Sequence, residues 1–486
     1  MKLCKLLERL DYEVIQGNDQ MDVLTLVYDS RKIEKGSAFV CIVGFNFDGH
    51  DYIDEVVSKG ATVLVVEKAI SAPEQVTVVQ VNDTRYALSL MSASYFDYPA
   101  EKVRVVGITG TKGKTTTTYI IKDILEDVGH KVGLIGTIEA IIGDEHLPAL
   151  NTTPESFTIQ QYLAAMVEAG CDSVVMEVSS QGLKLHRTAG IQFEIGIFTN
   201  LSPDHIGPNE HADFEEYMSC KGRLFKQCNL GIGNIDDANY EGIFDGSTCK
   251  KETFGFSNQA DLRAENISLI KKPGELGVAF DVVGLMNFHA EVRVPGRFSV
   301  YNALTAIAVC HHFNVPVDSI VRALKIAKVK GRIEMIPISD VFTLMIDYAH
   351  NSMSLESLLS SLKDYHPERL VCLFGCGGNR SADRRFEMGE ISGNLADLTV
   401  ITSDNPRFEE PQAIIDDIKE GIKRTKGNYV EIIDRIEAIR YVIENAEPGD
   451  IIVIAGKGHE DYQEIKGTKH PMDERVIIKK IVSQLL

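Results

Sequence analysis

The sequence predicts an α/β protein that is built mainly on parallel sheets. Short apolar runs ending in Gly, Ser or Asp alternate along the chain with segments of helical periodicity. The predicted strands are ATVLVVEK, VRVVGITG, DSVVMEVSS, IGIFTNLS, RLVCLFGCGG, DLTVITSD and DIIVIAGKG. The predicted helices include TTTTYIIKDILEDVG, SVYNALTAIAVCHHF and PQAIIDDIKEGIKRT. Ligands of parallel sheets gather at the carboxyl ends of the strands, so we expect functional residues in the loops that follow these runs.

The length of the chain, 486 residues, exceeds what one ordinary core accommodates. A polar, Pro-containing break, SYFDYPAEK, closes a first block, and GRIEMI opens a third. The later part of the middle block, ADLRAENISLIKKPGELGVAFDVVGLMNFHAEVRVPG, is typical of strands with turns. We therefore predict three domains, over residues 1–100, 101–330 and 331–486.

Composition narrows the class of protein. The hydrophobic content of 44% and charged content of 25% are those of a soluble globular protein. No run of about 18 apolar residues is present, and Glu8, Asp11 and Glu13 interrupt the place of a signal peptide. We expect a cytoplasmic protein without membrane insertion, whose nine scattered cysteines are reduced and mostly buried. The net charge of −20 argues against nucleic-acid binding, while local lysines can still hold a small anionic substrate.

The segment GITGTKGKTTTTYII joins a predicted strand to a predicted helix and has the composition of a phosphate-binding loop. Gly110 and Gly113 permit close approach of the backbone to phosphates, Lys114 can reach the outer phosphates, and Thr115 can ligate Mg²⁺. Ile108 stands where the longer Walker pattern has Gly, so the match is to a shorter variant, T-G-T-x-G-K-T. A glycine turn that only caps a helix is the weaker interpretation. ATP and Mg²⁺ are the expected cofactors.

Acidic and imidazole side chains follow two other predicted strands. Glu177 ends VVMEVSS, and Asp204 and His205 follow FTNLS. Either group alone is more often a cap or turn residue. Two such strand ends beside one phosphate loop favour metal ligation.

The order of the motifs GTKGKTT, MEVSSQGL, TNLSPDH, YMSCKGRLF, GRIE, DYAHN and AGKGHEDYQ resembles the Mur ligase family, whose enzymes build the peptide of the bacterial cell wall. DSRKIEKGSAFVCIVGFNFDGHDYI at the front resembles the nucleotide-sugar domain of the MurE-type members, which add the third amino acid. NTTPES and GKGHEDYQ also favour this type. The resemblance implies a front domain for UDP-MurNAc, a central P-loop-type ATPase domain with a parallel sheet, and a Rossmann-like C-terminal domain that binds the amino acid.

The resemblance also implies roles for individual residues. The ATP site would consist of Gly110, Thr111, Lys112, Gly113, Lys114, Thr115, Thr116, Asn302, Arg332, Asp347 and His350. The UDP-MurNAc-L-Ala-D-Glu site would consist of Ser30, Asn151, Thr152, Thr153, Ser179 and Arg187. The catalytic residues would be Lys114, Glu177, His205 and Lys221. The metal ligands would be Thr115, Glu177, His205 and Lys221, the last as a carbamate derived from CO₂.

The stretch TSDNPRFEEP, which follows a predicted strand, would lie over the side chain of the incoming amino acid. The residues implied there are Arg385, Asp404, Asn405, Pro406, Arg407, Gly456 and Glu460. Arg407 offers a fork for a carboxylate, and Glu460 with the Gly456 backbone can take an ammonium. These groups match the second amino-acid head of meso-diaminopimelate, so we predict that substrate over L-lysine, which would leave Arg407 without a partner.

The sequence departs from the family pattern in three places, and it leaves several alternative functions open. DHIGPNEH is two residues longer than usual, with Gly207 in place of an acid and His211 in the second histidine's place. Ser299 and Ser352 replace the usual Asn and Pro. The alternatives are a lysine-adding ligase, a folylpolyglutamate synthetase, which lacks the DSR…DGH front domain, and a P-loop switch without ligase activity. We expect a monomer.

Overall fold

The structure, a computed structural model, describes residues 1–45, 47–207, 210–272 and 274–485. The chain divides into two compact units. The first unit comprises residues 1–262 and 305–315, and the second comprises residues 263–304 and 316–486. The predicted domain boundaries near residues 100 and 330 stay a prediction.

The first unit contains two sheets and the helices that cover them. Its helices are α1 Leu3–Leu6, α2 Ile53–Ser58, α3 Thr84–Tyr95, α4 Lys114–Asp127, α5 Ser156–Glu168, α6 Ser180–Lys184, α7 Phe214–Gly222 and α8 Tyr240–Ile243. Its strands are β1 Glu13–Gln16, β2 Thr25–Val27, β3 Ser37–Val40, β4 Ala61–Val66, β5 Thr77–Gln80, β6 Arg104–Thr109, β7 Val132–Ile135, β8 Glu139–Ile142, β9 Glu145–Pro148, β10 Ser173–Glu177, β11 Phe193–Phe198, β12 Cys228–Asn234 and β13 Lys250–Gly255.

The front sheet has the strand order β1-β5-β4-β3-β2 and is parallel except for the pairing of β1 with β5. The larger sheet runs β13-β12-β11-β6-β10-β7-β8-β9, with parallel pairing from β13 to β7. Glu177 of β10 is opposite Ile108 of β6, and Phe198 of β11 is opposite Thr109. The three strands therefore end side by side, at the edge where α/β proteins bind ligands.

Burial on both faces explains the apolar composition of these strands. All five residues of β10 are buried, as expected for a parallel strand covered by helices on both sides. Leu163 and Met166 of α5 belong to the same apolar cluster as Val174 and Met176 of β10. The apolar packing fixes where Glu177, the one ionisable residue of the strand, comes to lie.

The rest of the chain carries a second parallel sheet. The helices of this part of the chain are α9 Arg297–His312, α10 Val317–Ile326, α11 Ser352–Lys363, α12 Ala382–Leu395, α13 Pro411–Ile422, α14 Arg435–Glu444 and α15 Glu474–Leu485, and residues 305–312 of α9 belong to the first unit. The strands of this part of the chain are β14 Leu262–Lys272, β15 Glu275–Gly284, β16 Phe288–Val292, β17 Glu334–Met335, β18 Thr343–Asp347, β19 Leu370–Phe374, β20 Leu398–Ile401, β21 Asn428–Glu431, β22 Ile451–Ala455, β23 Tyr462–Ile465 and β24 Thr468–Pro471. Strands β14, β15, β16, β23 and β24 lie outside the second parallel sheet.

The second parallel sheet has the strand order β17-β18-β22-β19-β20-β21, and only β17 is antiparallel to its neighbour. Asp347 is opposite Ala455, and Phe374 is opposite Ile401. The loops after β18, β20 and β22 carry DYAHN, TSDNPR and AGKGHE, and they share one edge of the sheet with the loop after β19.

The predicted fold class is confirmed, and each run predicted as a strand or helix above contains one. All nine cysteines are free thiols and seven of them are buried, in agreement with the prediction. Among the described residues, none of the helices combines the length and apolar character that crossing a bilayer requires.

Candidate active site

The loop between β6 and α4 has the backbone that its glycines predict. Gly110 has φ +147° and Gly113 has φ +87°, values that side chains disfavour. A Cβ atom on Gly110 would lie 2.0 Å from Thr199 Oγ1, so that position admits only glycine. Helix α4 begins directly afterwards at Lys114. The first amides of a helix lack partners within it, which makes this end suited to phosphate.

Two residues that sequence reasoning did not single out hold the loop in place. Asn200 O accepts from Thr111 N at 2.8 Å, and Asn200 Oδ1 accepts from Lys112 N at 2.9 Å. Thr199 Oγ1 and Asn200 Nδ2 both donate to Lys112 O, at 2.8 and 3.0 Å. These side chains follow β11, so the TN pair after the predicted strand IGIFTN was the signal available in the sequence.

Lys114 and Lys221 converge on one acceptor. Their Nζ atoms donate to Gly110 O at 2.8 and 2.9 Å. Lys221 is 2% exposed, and its Nζ lies 4.5 Å from the centre of the Tyr217 ring. Burial, followed by the nearby charge of Lys114, holds the pKa of Lys221 well below its usual value, which favours the neutral amine. The local sequence of Lys221 alone would suggest a solvated lysine on a helix surface. The structure shows instead that this lysine is buried.

Glu177 and Thr115 form a buried pair of oxygen ligands beside the loop. Thr115 Oγ1 donates to Glu177 Oε2 at 3.0 Å, and Glu177 is 1% exposed. Thr137 donates to both carboxylate oxygens, from its N at 2.8 Å and its Oγ1 at 2.9 Å. A carboxylate and a hydroxyl are hard oxygen ligands, so these residues fit Mg²⁺. Thr137 was missed because nothing local marks it as a partner of Glu177.

His205 lies on the exposed side of the same region. Its φ is +54°, its side chain is 54% exposed, and its Nδ1 lies 3.2 Å from Glu210 Oε1. Its ring centre is 6.3 Å from that of Tyr217, the residue that packs on Lys221. The structure thus places His205 near helix α7. Pro208 and Asn209, in the predicted insertion, lie outside the described residues, and His211 is fully buried.

The residues predicted for the UDP-sugar peptide connect to Glu177 through Thr153. Thr153 Oγ1 donates to Glu177 O and accepts from Ser179 N, both at 2.9 Å. Arg187 Nη1 donates to Thr153 O at 2.9 Å, and its Nη2 lies 2.6 Å from Glu155 Oε1. The segment 153–187 is thereby tied together around the carboxyl end of β10.

The other three residues predicted for this substrate are placed less uniformly. Thr152 Oγ1 is 3.1 Å from Thr137 Oγ1, which brings it to the Glu177 cluster. Asn151 is exposed. Ser30 begins a short 3₁₀ helix, Ser30–Lys32, and its O accepts from Lys59 Nζ at 3.2 Å.

In the second unit, three residues predicted to contact the nucleotide gather around Tyr348. Asp347, at the end of β18, accepts from Ile333 N and Ala349 N at 2.8 Å each. Burial raises its pKa, against the opposing effect of Arg332. The Arg332 guanidinium and the His350 ring centre lie 4.7 and 4.5 Å from the Tyr348 ring centre. Asn302 is buried within α9.

The Asp404–Arg407 turn is joined to the loop after β22. Asn405 Nδ2 donates to Glu460 Oε2 at 2.8 Å, and Asn405 Oδ1 accepts from Lys457 Nζ at 3.1 Å. Lys457 is fully buried and lies 3.1 Å from Glu460 Oε2 and 3.7 Å from Asp404 Oδ1. Sequence reasoning missed Lys457, although it lies inside the quoted motif AGKGHE.

Two glycines, Gly378 and Gly456, lie so close to the Asp404–Arg407 turn that a side chain at either position would collide with it. A Cβ atom on Gly456 would lie 2.7 Å from Asp404 Oδ2. A Cβ atom on Gly378 would lie 1.9 Å from Pro406 O. Both loops approach the turn more closely than a side chain allows.

Arg407 has an unfavourable backbone for its residue type. Its φ is +52°, a conformation that costs a residue other than glycine about 1 kcal/mol or more. Its Nη1 donates to Gly378 O at 2.6 Å, and its Nε donates to Glu464 Oε2 at 3.3 Å. Strained backbone of this kind concentrates at functional sites, which agrees with the role predicted for the turn.

Arg385 is held by carboxylates of the chain itself. It is 4% exposed, and it donates to Glu409 Oε1 at 2.8 Å and to Asp417 Oδ2 at 2.9 Å. Its Nε is buried without a hydrogen-bond partner among the described residues. The contact of Arg385 with the amino acid stays a prediction. To make that contact, Arg385 would have to break at least one of its hydrogen bonds to Glu409 and Asp417.

Three consecutive regions of the chain match models of one protein family. Residues 23–96 match the Mur ligase family catalytic domain, residues 108–310 the Mur ligase middle domain, and residues 331–458 the Mur ligase glutamate ligase domain.

Relatives match the chain over nearly its full length. A protein of Clostridium perfringens named UDP-N-acetylmuramoyl-L-alanyl-D-glutamate–2,6-diaminopimelate ligase is 42% identical, over 99% of each chain. A relative with the same name from Caldanaerobacter subterraneus is 42% identical, over 100% of this chain and 99% of its own length. A solved structure of an enzyme with that name superposes with a TM-score of 0.73 at 28% identity, over 100% of this chain and 99% of the other. The chain belongs to the Mur ligase family.

Proposed function

We propose that the chain is an ATP-dependent ligase that joins meso-diaminopimelate to UDP-MurNAc-L-Ala-D-Glu in the synthesis of peptidoglycan precursors. The observation that carries the ligase assignment is the convergence of Lys114, Lys221 and the Thr115–Glu177 pair at one sheet edge. Relatives that match nearly the whole chain are named for this activity, and their names support the assignment of the two substrates.

The reaction is an acyl transfer in two displacements. An oxygen of the substrate carboxylate attacks the γ-phosphorus of ATP, and the bond to the β-phosphate oxygen breaks to release ADP. The amine nitrogen of diaminopimelate then attacks the acyl carbon, phosphate leaves, and the nitrogen loses a proton to give the amide. The phosphoryl step depends on positioning and on charge stabilisation, which Lys114 and the amides at the start of α4 supply in this proposal.

Thr115, Glu177 and His205 are the residues that would hold Mg²⁺, which when bound neutralises the charge that accumulates on the transferred phosphoryl group. Lys221 would complete the set as a carbamate. The neutral amine that burial favours is the form that adds to CO₂, forming an N–C bond and releasing a proton. The product is an anion at a position where a protonated lysine would be repelled by Lys114.

For the incoming amino acid, we propose that Arg407 binds the distal carboxylate of diaminopimelate and that Glu460 takes the distal ammonium. The support is their joint position around Asn405, with Lys457 between Glu460 and Asp404. L-Lysine lacks the distal carboxylate and would offer the guanidinium no partner beyond those within the chain. We further propose that residues 1–100, 101–330 and 331–486 bind the nucleotide sugar, ATP and the amino acid respectively, in line with the three matched family regions.

Phosphate release measured with each substrate omitted in turn tests this function. We expect release only when ATP, Mg²⁺, UDP-MurNAc-L-Ala-D-Glu and meso-diaminopimelate are all present. A nucleotide switch, the alternative from another class, would release phosphate without the nucleotide-sugar peptide, and that result would overturn the proposal.

A further inference from the structure

A cluster of one imidazole, one carboxylate and one thiol lies beside helix α7, and none of its members belongs to the ATP or Mg²⁺ site proposed above. His211, Glu216 and Cys220 each direct one ligand atom to it, and these atoms lie within 4.8 Å of one another. Glu216 and Cys220 are four residues apart on α7 and so share one face of the helix. His211 reaches them from the segment that precedes the helix.

One ring nitrogen of the buried His211 lacks a hydrogen-bond partner among the described residues, which indicates that it binds a ligand. His211 is 0% exposed, and its Nδ1 has no hydrogen-bond partner among the described residues. That atom lies 3.8 Å from Glu216 Oε2, which is beyond hydrogen-bond distance. It is close to the separation of about 3.6 Å that two ligands of a tetrahedral metal with bonds of about 2.2 Å adopt.

The surrounding contacts are those of a metal-binding histidine and carboxylate. Metal-bound imidazoles commonly use the second ring nitrogen to bond an oxygen, and His211 Nε2 lies 2.9 Å from Ser180 Oγ. Glu216 Oε2 accepts from Ala212 N at 2.7 Å, which orients the carboxylate. Lys184 Nζ lies 2.9 Å from Glu216 Oε1, so one positive charge already neutralises part of the cluster.

We propose that His211, Glu216 and Cys220 bind a thiophilic divalent cation of the Zn²⁺ class. Imidazole and thiolate ligands favour Zn²⁺ over Mg²⁺, which prefers oxygen. On binding, the Cys220 S–H bond breaks, a metal–sulfur bond forms, and the proton goes to the buffer. The half-exposed Glu216, whose side chain is 34% exposed, gives the cation an entrance to the otherwise buried His211 and Cys220.

The site would tie two functional segments together. His211 follows the segment of His205, and its backbone N donates to His205 O at 3.0 Å. Cys220 precedes Lys221 on α7. A cation held by both sides would fix the His205 loop against the helix that carries Lys221, and would stabilise the folded chain further as the free cation concentration rises above Kd.

The site can be tested by stripping the full chain of metal and titrating it with Co²⁺. The buffer contains excess Mg²⁺ and no ATP, and Co²⁺ is the only transition metal added during the titration. We expect one equivalent to produce a thiolate-to-cobalt charge-transfer band in the near ultraviolet, which Zn²⁺ then removes. Cys220→Ser should lose the band, whereas Cys4→Ser, at a half-buried cysteine outside the cluster, should keep it. A band of unchanged intensity in Cys220→Ser would overturn the proposal.

Competition with a chromophoric Zn²⁺ chelator provides a second measurement, with Glu216→Gln as a variant that leaves both buried ligands in place. We expect Glu216→Gln and Cys220→Ser to bind Zn²⁺ at least about 10-fold more weakly than the wild type and Cys4→Ser. Equal affinities in all four proteins would mean that Zn²⁺ binds only adventitious surface groups. Because neither readout uses ligation, a failure here leaves the proposed ligase function untouched, and the reverse also holds.

Discussion

The phosphate loop and the Asp404–Arg407 turn both follow buried parallel strands, but their polar groups are engaged differently. The backbone groups of the loop are held by neutral partners on Thr199 and Asn200. Lys221 donates to a neutral carbonyl and forms no ion pair among the described residues. In the turn, by contrast, the charges of Lys457, Glu460 and Arg407 are already matched by partners within the chain.

This difference separates two ways of preparing a binding site. Lys114 donates to the neutral carbonyls Gly110 O and Thr111 O, and an anionic phosphate is a stronger acceptor for its ammonium than either of them. A zwitterionic amino acid must replace internal partners of the turn, and a ligand that replaces only some of them leaves a buried charge unpaired. The loop therefore suits a ligand common to many enzymes, whereas the turn suits discrimination between similar ones.

The largest effect is expected for Lys221→Ala. Loss of the proposed carbamate removes a metal ligand, and we expect kcat for ligation to fall about 10³-fold, with partial recovery on adding a short carboxylate. Lys226→Ala, at an exposed lysine five residues away, is the matched control and should keep wild-type activity. Full activity in Lys221→Ala would show that the buried lysine has no part in catalysis.

Glu177→Gln is expected to have the next largest effect. The amide preserves the shape that Thr115 and Thr137 contact but removes the negative charge. We expect a loss of about 10²-fold in kcat/KM and a higher requirement for Mg²⁺, measured by titrating Mg²⁺ at saturating ATP. Glu168→Gln, at an exposed glutamate that ends α5, serves as the control. An unchanged Mg²⁺ dependence in Glu177→Gln would rule out Glu177 as a ligand.

Arg407→Ala should weaken the discrimination attributed to the turn. We expect kcat/KM for meso-diaminopimelate to fall about 10- to 100-fold, the worth of a hydrogen-bonded charge pair, with little change for L-lysine. Arg407→Lys keeps the charge without the fork and should fall in between. Parallel losses for both amino acids would indicate that Arg407 supports the fold rather than recognising the carboxylate.

The smallest effect concerns the stability of the second unit toward acid. Burial, then the charges of Arg332 and Lys330, lowers the pKa of His459 from 6.5 to about 4. The unfolded chain therefore binds this proton first, and the stability that His459 contributes when neutral is lost as pH falls from 6.5 toward 4. At pH 5 this amounts to about 2 kcal/mol. In His459→Gln, the denaturation midpoint should vary less between pH 7 and 5; equal slopes would contradict the account.

Local motifs were predictable from the sequence, whereas the contacts between them were not. Gly110, Gly113, Lys114 and Thr115 are neighbours in the chain, so their geometry follows from the loop itself. The carbonyl that accepts from Lys221 lies 111 residues away and is set by the packing of α7 on the sheet.

Strand register accounts for the remaining omissions. Thr199 reaches the phosphate loop because Phe198 is opposite Thr109, and Thr137 reaches Glu177 because β7 and β10 are paired. The sequence around these residues does not show which strands will be paired. Lys457 was overlooked for a different reason, since a lysine between two glycines gives no sign that it will be buried.

The most direct test of the central claim is a competition in one vessel. Wild-type protein, ATP, Mg²⁺ and UDP-MurNAc-L-Ala-D-Glu are mixed with equal concentrations of meso-diaminopimelate and L-lysine, and the products are separated and quantified by mass spectrometry at low conversion. The account predicts the diaminopimelate product in at least about 100-fold excess, because only diaminopimelate offers the Arg407 guanidinium a carboxylate. Comparable amounts of the two products, or an excess of the lysine product, would contradict it.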